Sequence, residues 1–155
     1  MAVEVGQPAP DFRLRGPGGQ FVTLSEFKGR KNVVLVFFPL AFSPICSHQL
    51  PDVQSDLPKF EKHDAQVLGI SVDSHYANEE FARQLGLGFP LLSDFRHEAA
   101  QRYGVMRTES GYSERAVFLI DKQGVVRYRQ VSLNPGDIEL VPRTEPMLEI
   151  LAKLG

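Results

Sequence analysis

A chain of 155 residues is the size of one domain, and 17 Lys+Arg against 19 Asp+Glu leave a net charge of −2,. With 43% hydrophobic and 23% charged residues the composition is that of an ordinary globular protein, with no general attraction to nucleic acid or to an anionic membrane,. Its one cysteine, Cys46, excludes an intrachain disulfide, a CxxC redox pair and any zinc site built on two thiolates,.

The first residues carry neither the basic start nor the apolar stretch of a signal peptide,. The longest apolar run, 33–42, contains Pro39 and falls short of the roughly 20 residues a membrane span needs,. No internal repeat or low-complexity tract is present. A cytoplasmic protein is expected, with no nucleic-acid or membrane partner.

In chain order, the Gly16-Pro17-Gly18-Gly19 cluster predicts a turn into a short alternating strand over 20–24,. Residues 32–38 (NVVLVFF) are rich in β-branched and aromatic residues and, after Asn32, continuously apolar, the pattern of a central strand covered on both faces,. Leu50, Val53, Leu57 and Phe60 recur at helical spacing and predict a helix over 44–62, kinked or stopped early by Pro51 or Pro58,. A second buried strand is expected at 67–72, a helix at 77–86 marked by Phe81, Ala82 and Leu85, and a short helix at 95–103. Strands at 116–120 and 125–131 flank the turn Asp121-Lys122-Gln123-Gly124 as a hairpin,. Met147, Ile150, Leu151 and Leu154 form one face of a terminal helix,. The first strand–helix–strand unit needs a crossover and therefore parallel pairing, whereas the hairpin is antiparallel. Together they predict an α/β protein with a thioredoxin-like layout, a mixed central β-sheet flanked by helices.

The segment Pro39-Leu40-Ala41-Phe42-Ser43-Pro44-Ile45-Cys46 joins the end of a buried strand to the start of a helix, the place where open α/β sheets bind ligands,. Ser43 is a favoured N-cap and Pro44 a favoured first helical residue, which sets Cys46 in the first turn. Unsatisfied N–H groups and the helix dipole there favour thiolate over thiol. Ser43, three residues before Cys46, is spaced to face the sulfur. A lone cysteine is most often a small buried hydrophobe; the cap, the proline and the helix start together turn the reading toward a reactive thiol without naming a reaction.

This segment resembles the active-site motif of the peroxiredoxins: proline, three residues, Thr or Ser, two residues, cysteine, here Pro39, Ser43 and Cys46. The resemblance extends to Gly6–Phe12, to Leu24-Ser25-Glu26-Phe27-Lys28-Gly29, to the NVVLVFFP strand, to Phe89-Pro90-Leu91-Leu92-Ser93-Asp94 and to Arg115-Ala116-Val117-Phe118-Leu119-Ile120-Asp121. The Leu-Ala-Phe stretch and the absence of a second cysteine resemble the single-cysteine, alkyl hydroperoxide reductase E-like group. The resemblance implies one peroxiredoxin domain over 1–155, with Cys46 attacking the peroxide O–O bond and becoming a sulfenic acid. It also implies that Ser43 hydrogen-bonds the peroxide and the sulfur, that Pro39 shields the sulfur, and that Arg115 stabilises the thiolate and polarises the peroxide. Spacing alone does not bring Arg115 to Cys46. Ser43 stands where Thr is commoner, and Gln49 stands where many relatives carry Glu.

The substrate expected is hydrogen peroxide or an organic hydroperoxide. The resolving thiol comes from outside the chain's own set: a low-molecular-weight thiol, a thioredoxin- or glutaredoxin-like protein, or Cys46 of a second subunit. A homodimer is expected from the resemblance, and no cofactor or metal is expected. His48 sits two residues from Cys46, about 200° around a helix, and is expected to face away; His63, His75 and His97 form no ligand pair,. Asp11, Asp73, Asp94 and Asp121 are expected as caps, and Phe81, Phe89 and Phe95 as core. The rival readings are a thiol–disulfide oxidoreductase of the thioredoxin superfamily, and a sensor that signals through Cys46 oxidation without turnover.

Overall fold

The computed structural model describes residues 3–132, 134, 137 and 141–154. Seven strands form one mixed sheet: β1 (Arg13–Arg15), β2 (Phe21–Thr23), β3 (Asn32–Phe37), β4 (Ala65–Ser71), β5 (Leu91–Ser93), β8 (Ala116–Ile120) and β9 (Val126–Val131), in the order β2-β1-β5-β4-β3-β8-β9. A separate ribbon pairs β6 (Met106–Arg107) with β7 (Tyr112–Ser113). The helices are α1 (Cys46–Ser55), α2 (Leu57–Lys62), α3 (His75–Leu85), α4 (Glu98–Arg102) and α5 (Glu145–Leu154).

The expected central strand is the middle of the sheet. Every residue of β3 is buried, and it pairs parallel with β4 and antiparallel with β8. Register sorts its side chains by parity. Val33, Leu35 and Phe37 join Phe118 and Ile120 on one face, which α4 covers through Ala99 and Ala100. Val34 and Val36 join Val117 and Leu119 on the other, covered by Leu50 and Val53 of α1, Leu57 and Phe60 of α2, Phe81 of α3 and Met147 and Leu151 of α5. The mixed sheet flanked by helices is the architecture expected from sequence.

Several boundaries differ from expectation for physical reasons. The helix expected over 44–62 is two helices that part at Asp56. Pro51 lies inside α1, and Pro58 lies in the first turn of α2, where a missing N–H has no intrahelical bond to lose,. The helix expected over 77–86 begins at His75, because Ser74 Oγ accepts from Ala77 N and caps it; Gly86, at φ 65°, closes it,. The helix expected over 95–103 is shortened to Glu98–Arg102, and Asp94 caps it by accepting from Ala99 N and Ala100 N. Burial pushes the Asp94 carboxyl above its ordinary range, and those two N–H bonds oppose that shift,. Strands β1, β5, β6 and β7, two or three residues each, are too short for alternation to reveal. Phe81 and Phe89 are core as expected, whereas Phe95 is exposed.

Candidate active site

Strand β3 ends at Phe37, and the following loop carries Pro39 and Ser43 to Cys46 at the start of α1. Three anchors fix this loop. Ala41 N donates to Asp73 Oδ2 at 2.7 Å, and the same oxygen accepts from Ser71 Oγ at 2.8 Å, tying the loop to the end of β4. The Phe42 ring lies 5.0 Å from that of Phe81 on α3. Ser47 N donates to Ser43 O at 2.9 Å, an α-type bond that winds the chain ahead of the first helical residue. Phe42 itself sits at φ 69°, a left-handed conformation that costs a non-glycine residue about 1–3 kcal/mol and persists only where its surroundings hold it,.

The expected capping role of Ser43 is corrected. The residue flanking α1 is Ile45, which has helical φ and ψ and makes no side-chain cap, and Cys46 is the first residue of the helix. Ser43 contributes its carbonyl to the first turn, and its hydroxyl oxygen is buried without a hydrogen-bond partner. Being freed from capping, that hydroxyl is available to a ligand. Pro39 is buried and His48 is exposed.

Cys46 is fully buried in the sheet face that α1, α3 and α5 cover. Arg115, immediately before β8, is also buried, at 2% exposure. It shares parity with Val117 and Leu119, so its side chain lies on the Cys46 face,. Its Nη1 donates to Cys46 Sγ at 3.2 Å and to Gln49 Oε1 at 2.7 Å. A guanidinium has no acceptor capacity, so the sulfur is the acceptor in this contact,. Gln49, one turn along α1 from Cys46, is 2% exposed, and its Nε2 is buried without an acceptor. The structure brings Arg115 to Cys46 and leaves Pro39 and Ser43 on the loop that leads into α1, and it adds two residues that sequence reasoning had not assigned. Gln49 is bonded to the arginine, and Asp73, expected only as a cap, holds the loop. Parity along β8 was the available signal for Arg115: an arginine in line with two buried apolar residues of a fully buried strand.

Among the described residues no cluster of His, Cys, Asp or Glu is suited to a metal ion. None of the helices is long and apolar enough to cross a membrane among the described residues. This arrangement, a buried thiol within hydrogen-bond reach of a guanidinium and an unpartnered hydroxyl on the loop before it, suits nucleophilic attack on a small polar molecule,.

Comparison with known proteins agrees. The family model described as AhpC/TSA family matches residues 5–129. Alkyl hydroperoxide reductase E of Mycobacterium tuberculosis (strain ATCC 25618 / H37Rv) is 43% identical over 138 residues, covering 88% of this chain and 90% of the relative. Peroxiredoxin Bcp of Bacillus subtilis (strain 168) is 33% identical over 157 residues, covering 96% of this chain and 99% of the relative. Among solved structures, Mycobacterium tuberculosis AhpC superposes with a TM-score of 0.86 at 25% identity, covering 99% of this chain and 94% of that one. Reduced Plasmodium vivax 2-Cys peroxiredoxin gives 0.84 at 28% identity, covering 97% and 81%. A buried thiol at a strand-to-helix junction, in a chain alike over nearly its whole length to these proteins, places it in a family: the chain belongs to the AhpC/TSA family of peroxiredoxins, the thiol-dependent peroxidases.

Proposed function

We propose that this protein reduces hydrogen peroxide and organic hydroperoxides through Cys46. The Cys46 thiolate attacks the terminal peroxide oxygen. The O–O bond breaks, the other oxygen leaves as water or alcohol after taking a proton, and the sulfur, oxidised by two electrons, becomes a sulfenic acid. An external thiol then displaces water to give a mixed disulfide, and a second thiol releases Cys46. The chain has one cysteine, so both thiols come from outside it.

The observation that carries this reading is the 3.2 Å contact of Arg115 Nη1 with Cys46 Sγ, both groups buried. In this reading the guanidinium stabilises the thiolate and the negative charge that develops on the leaving oxygen. The unpartnered Ser43 hydroxyl receives the peroxide, and Pro39 shields the sulfur from water. The reductant is a low-molecular-weight thiol or a thioredoxin- or glutaredoxin-like protein. The functional unit is a homodimer of the single domain spanning 1–155, working in a reducing compartment such as the cytoplasm, where a free thiol persists. Thiol–disulfide exchange as the primary activity is disfavoured, because Ser43 stands where a CxxC pair would have its first cysteine and the chain has no second thiol for intramotif exchange,.

Mixing the reduced protein with sub-stoichiometric hydroperoxide and trapping sulfenic acid for mass spectrometry tests the proposal. The expected result is rapid sulfenic acid formation at Cys46, and a loss of roughly a thousandfold or more in peroxide consumption in Cys46→Ser. A rate no faster than that of free cysteine overturns it. Sustained consumption with a recycling thiol separates an enzyme from a sensor.

A further inference from the structure

We infer that Asp73 is a positioning residue for peroxide reduction: its Oδ2 holds the Ala41 amide and so fixes the turn that carries Pro39 and Ser43 toward Cys46. The inference rests on the peroxidase reading above for what that turn does, but not for its geometry.

Residues 40–43 make a tight turn in which Ser43 N donates to Leu40 O at 3.4 Å, longer than an ordinary N–H···O bond,. Its third residue, Phe42, has φ 69°, and a turn with positive φ at that place ordinarily takes glycine or asparagine there,. A residue with a Cβ is strained in that conformation. The turn's own bond is therefore a weak hold on a strained residue. The Phe42 ring, 49% exposed, leans on Phe81, and the shortest bond to the turn's backbone is at Ala41 N, which donates to Asp73 Oδ2 at 2.7 Å. Ala41 lies two residues from Pro39 and two from Ser43, so this one bond indexes both.

The carboxylate is itself held as an anchor. Ser71 Oγ donates to the same Oδ2 at 2.8 Å, Asp73 N donates to Ser71 Oγ at 3.3 Å, and Asp73 O accepts from Ser93 Oγ at 2.6 Å. Ser71 Oγ also lies 3.0 Å from Asn78 Oδ1 of α3, and Asn78 Nδ2 donates to Leu92 O of β5. Ser71 and Asn78 are buried, so the anchor is built into β4, α3 and β5. Among the described residues every hydrogen bond of the Asp73 carboxylate falls on Oδ2, and none comes from a cationic side chain. What this position supplies is an oxygen in a fixed place.

The site thus has two supports, one on either side of β3. Arg115 reaches the sulfur from β8, and Asp73 reaches the loop from the end of β4. The first bears on the thiol, the second on the groups that meet the peroxide. Loss of the second should slow the peroxide reaction without changing how easily the thiol ionises.

The test compares wild type with Asp73→Ala and Asp73→Asn in two reactions of the same thiolate: hydrogen peroxide, which needs the loop, and iodoacetamide, which uses none of its groups. With one cysteine in the chain both signals have a single source. Asp73→Ala is expected to react with peroxide about ten- to a hundredfold more slowly, the cost of a misplacement of about 1 Å. Its alkylation should be no slower than that of wild type, with a pH midpoint within about half a unit. Asp73→Asn keeps an oxygen in the place of Oδ2 and should recover peroxide reduction to within about threefold of wild type. The inference is overturned if peroxide and iodoacetamide rates fall together, if the midpoint moves by more than about one unit, or if Asp73→Asn is as slow as Asp73→Ala. Should Asp73→Ala fail to fold, the Ala41 amide decides in the wild-type protein. It is expected to exchange with deuterium about a hundredfold or more slowly than an unprotected amide, and exchange at the unprotected rate overturns the anchor. Failure of the peroxidase reading looks different: wild type would react with hydroperoxide no faster than free cysteine while the Ala41 amide stayed protected.

Discussion

The two faces of the central sheet are built from alternate residues of the same strands, yet they are packed to opposite ends. On one face Phe37, Tyr103 and Phe118 meet at ring-centroid distances of 5.0–5.8 Å, and the only polar atom among those side chains, the Tyr103 hydroxyl, donates to Pro10 O at 2.7 Å. Burial pushes that phenol far above its ordinary range, so it stays a neutral donor,. On the other face the apolar packing of Val36, Phe38 and Leu50 runs up to a sulfur, a guanidinium and a carboxamide, and Ser43 Oγ and Gln49 Nε2 are left without partners. Satisfied polar groups belong to stability, while unsatisfied ones beside a buried cation are open to something that arrives.

Independence of the two faces is what mutations can break. The largest effect is expected from Phe118→Ala on the closed face, a loss of about 3–5 kcal/mol in urea unfolding. The peroxide rate per folded molecule should stay within about twofold, and a rate falling in step with stability would show that the faces act as one. Ser43→Ala on the open face should do the reverse. Peroxide reduction is expected to fall by about ten- to a hundredfold, as for a hydroxyl that meets only the reacting molecule, with stability unchanged to within about 0.5 kcal/mol because the buried oxygen has no bond to lose,. A stability loss above about 1 kcal/mol would make the hydroxyl structural.

The smallest effect is expected at the far end of the sheet, where Asp121 closes the β8–β9 hairpin. Burial pushes its carboxyl up, but Val125 N–H, Arg127 and Gln123 N–H together outweigh that and hold it below the ordinary carboxylate value. A depressed folded-state pKa gives stability that is present above the unfolded value and is lost as pH falls through the folded one. Asp121→Asn should therefore cost about 1 kcal/mol at neutral pH, and the gap to wild type should close in acid. Urea titrations at several pH values check the sign, since a gap that widened in acid would reverse it.

What the sequence disclosed, and what it hid, follows this same division. Residues 33–38 and 116–120 are apolar without interruption, and such runs have one home in an α/β protein, so the parallel β3–β4 pair and the β8–β9 hairpin were legible in the sequence. Short elements were not. β1 and β5 owe their existence to neighbours, Arg15 pairing with Ser93 and Gly69 with Leu91, and three residues carry no period. Within the site, the Pro39–Ser43–Cys46 spacing is local and was read directly, although the cap expected of Ser43 gave way to Ile45 because the chain is already helical there. Arg115 lies 69 residues from Cys46, a distance no motif spans, and only resemblance to a family joined them. Gln49 was visible as a departure from relatives, but its bond to Arg115 depends on tertiary packing, and Asp73 looked like any loop aspartate.

The pairing of β3 with β8 has one further consequence. Phe37 stands opposite Ala116, so the two strands deliver the loop to Cys46 and the residue Arg115 from adjacent rungs of one antiparallel ladder. A slip of a single residue along that ladder would send the guanidinium through the sheet to the aromatic side. The ladder therefore serves as a gauge block. Its amides, flanked by strands on both sides and shut away from solvent, should be among the last in the molecule to exchange with deuterium, so the distance between thiol and cation is referenced to the part of the chain that opens least often,.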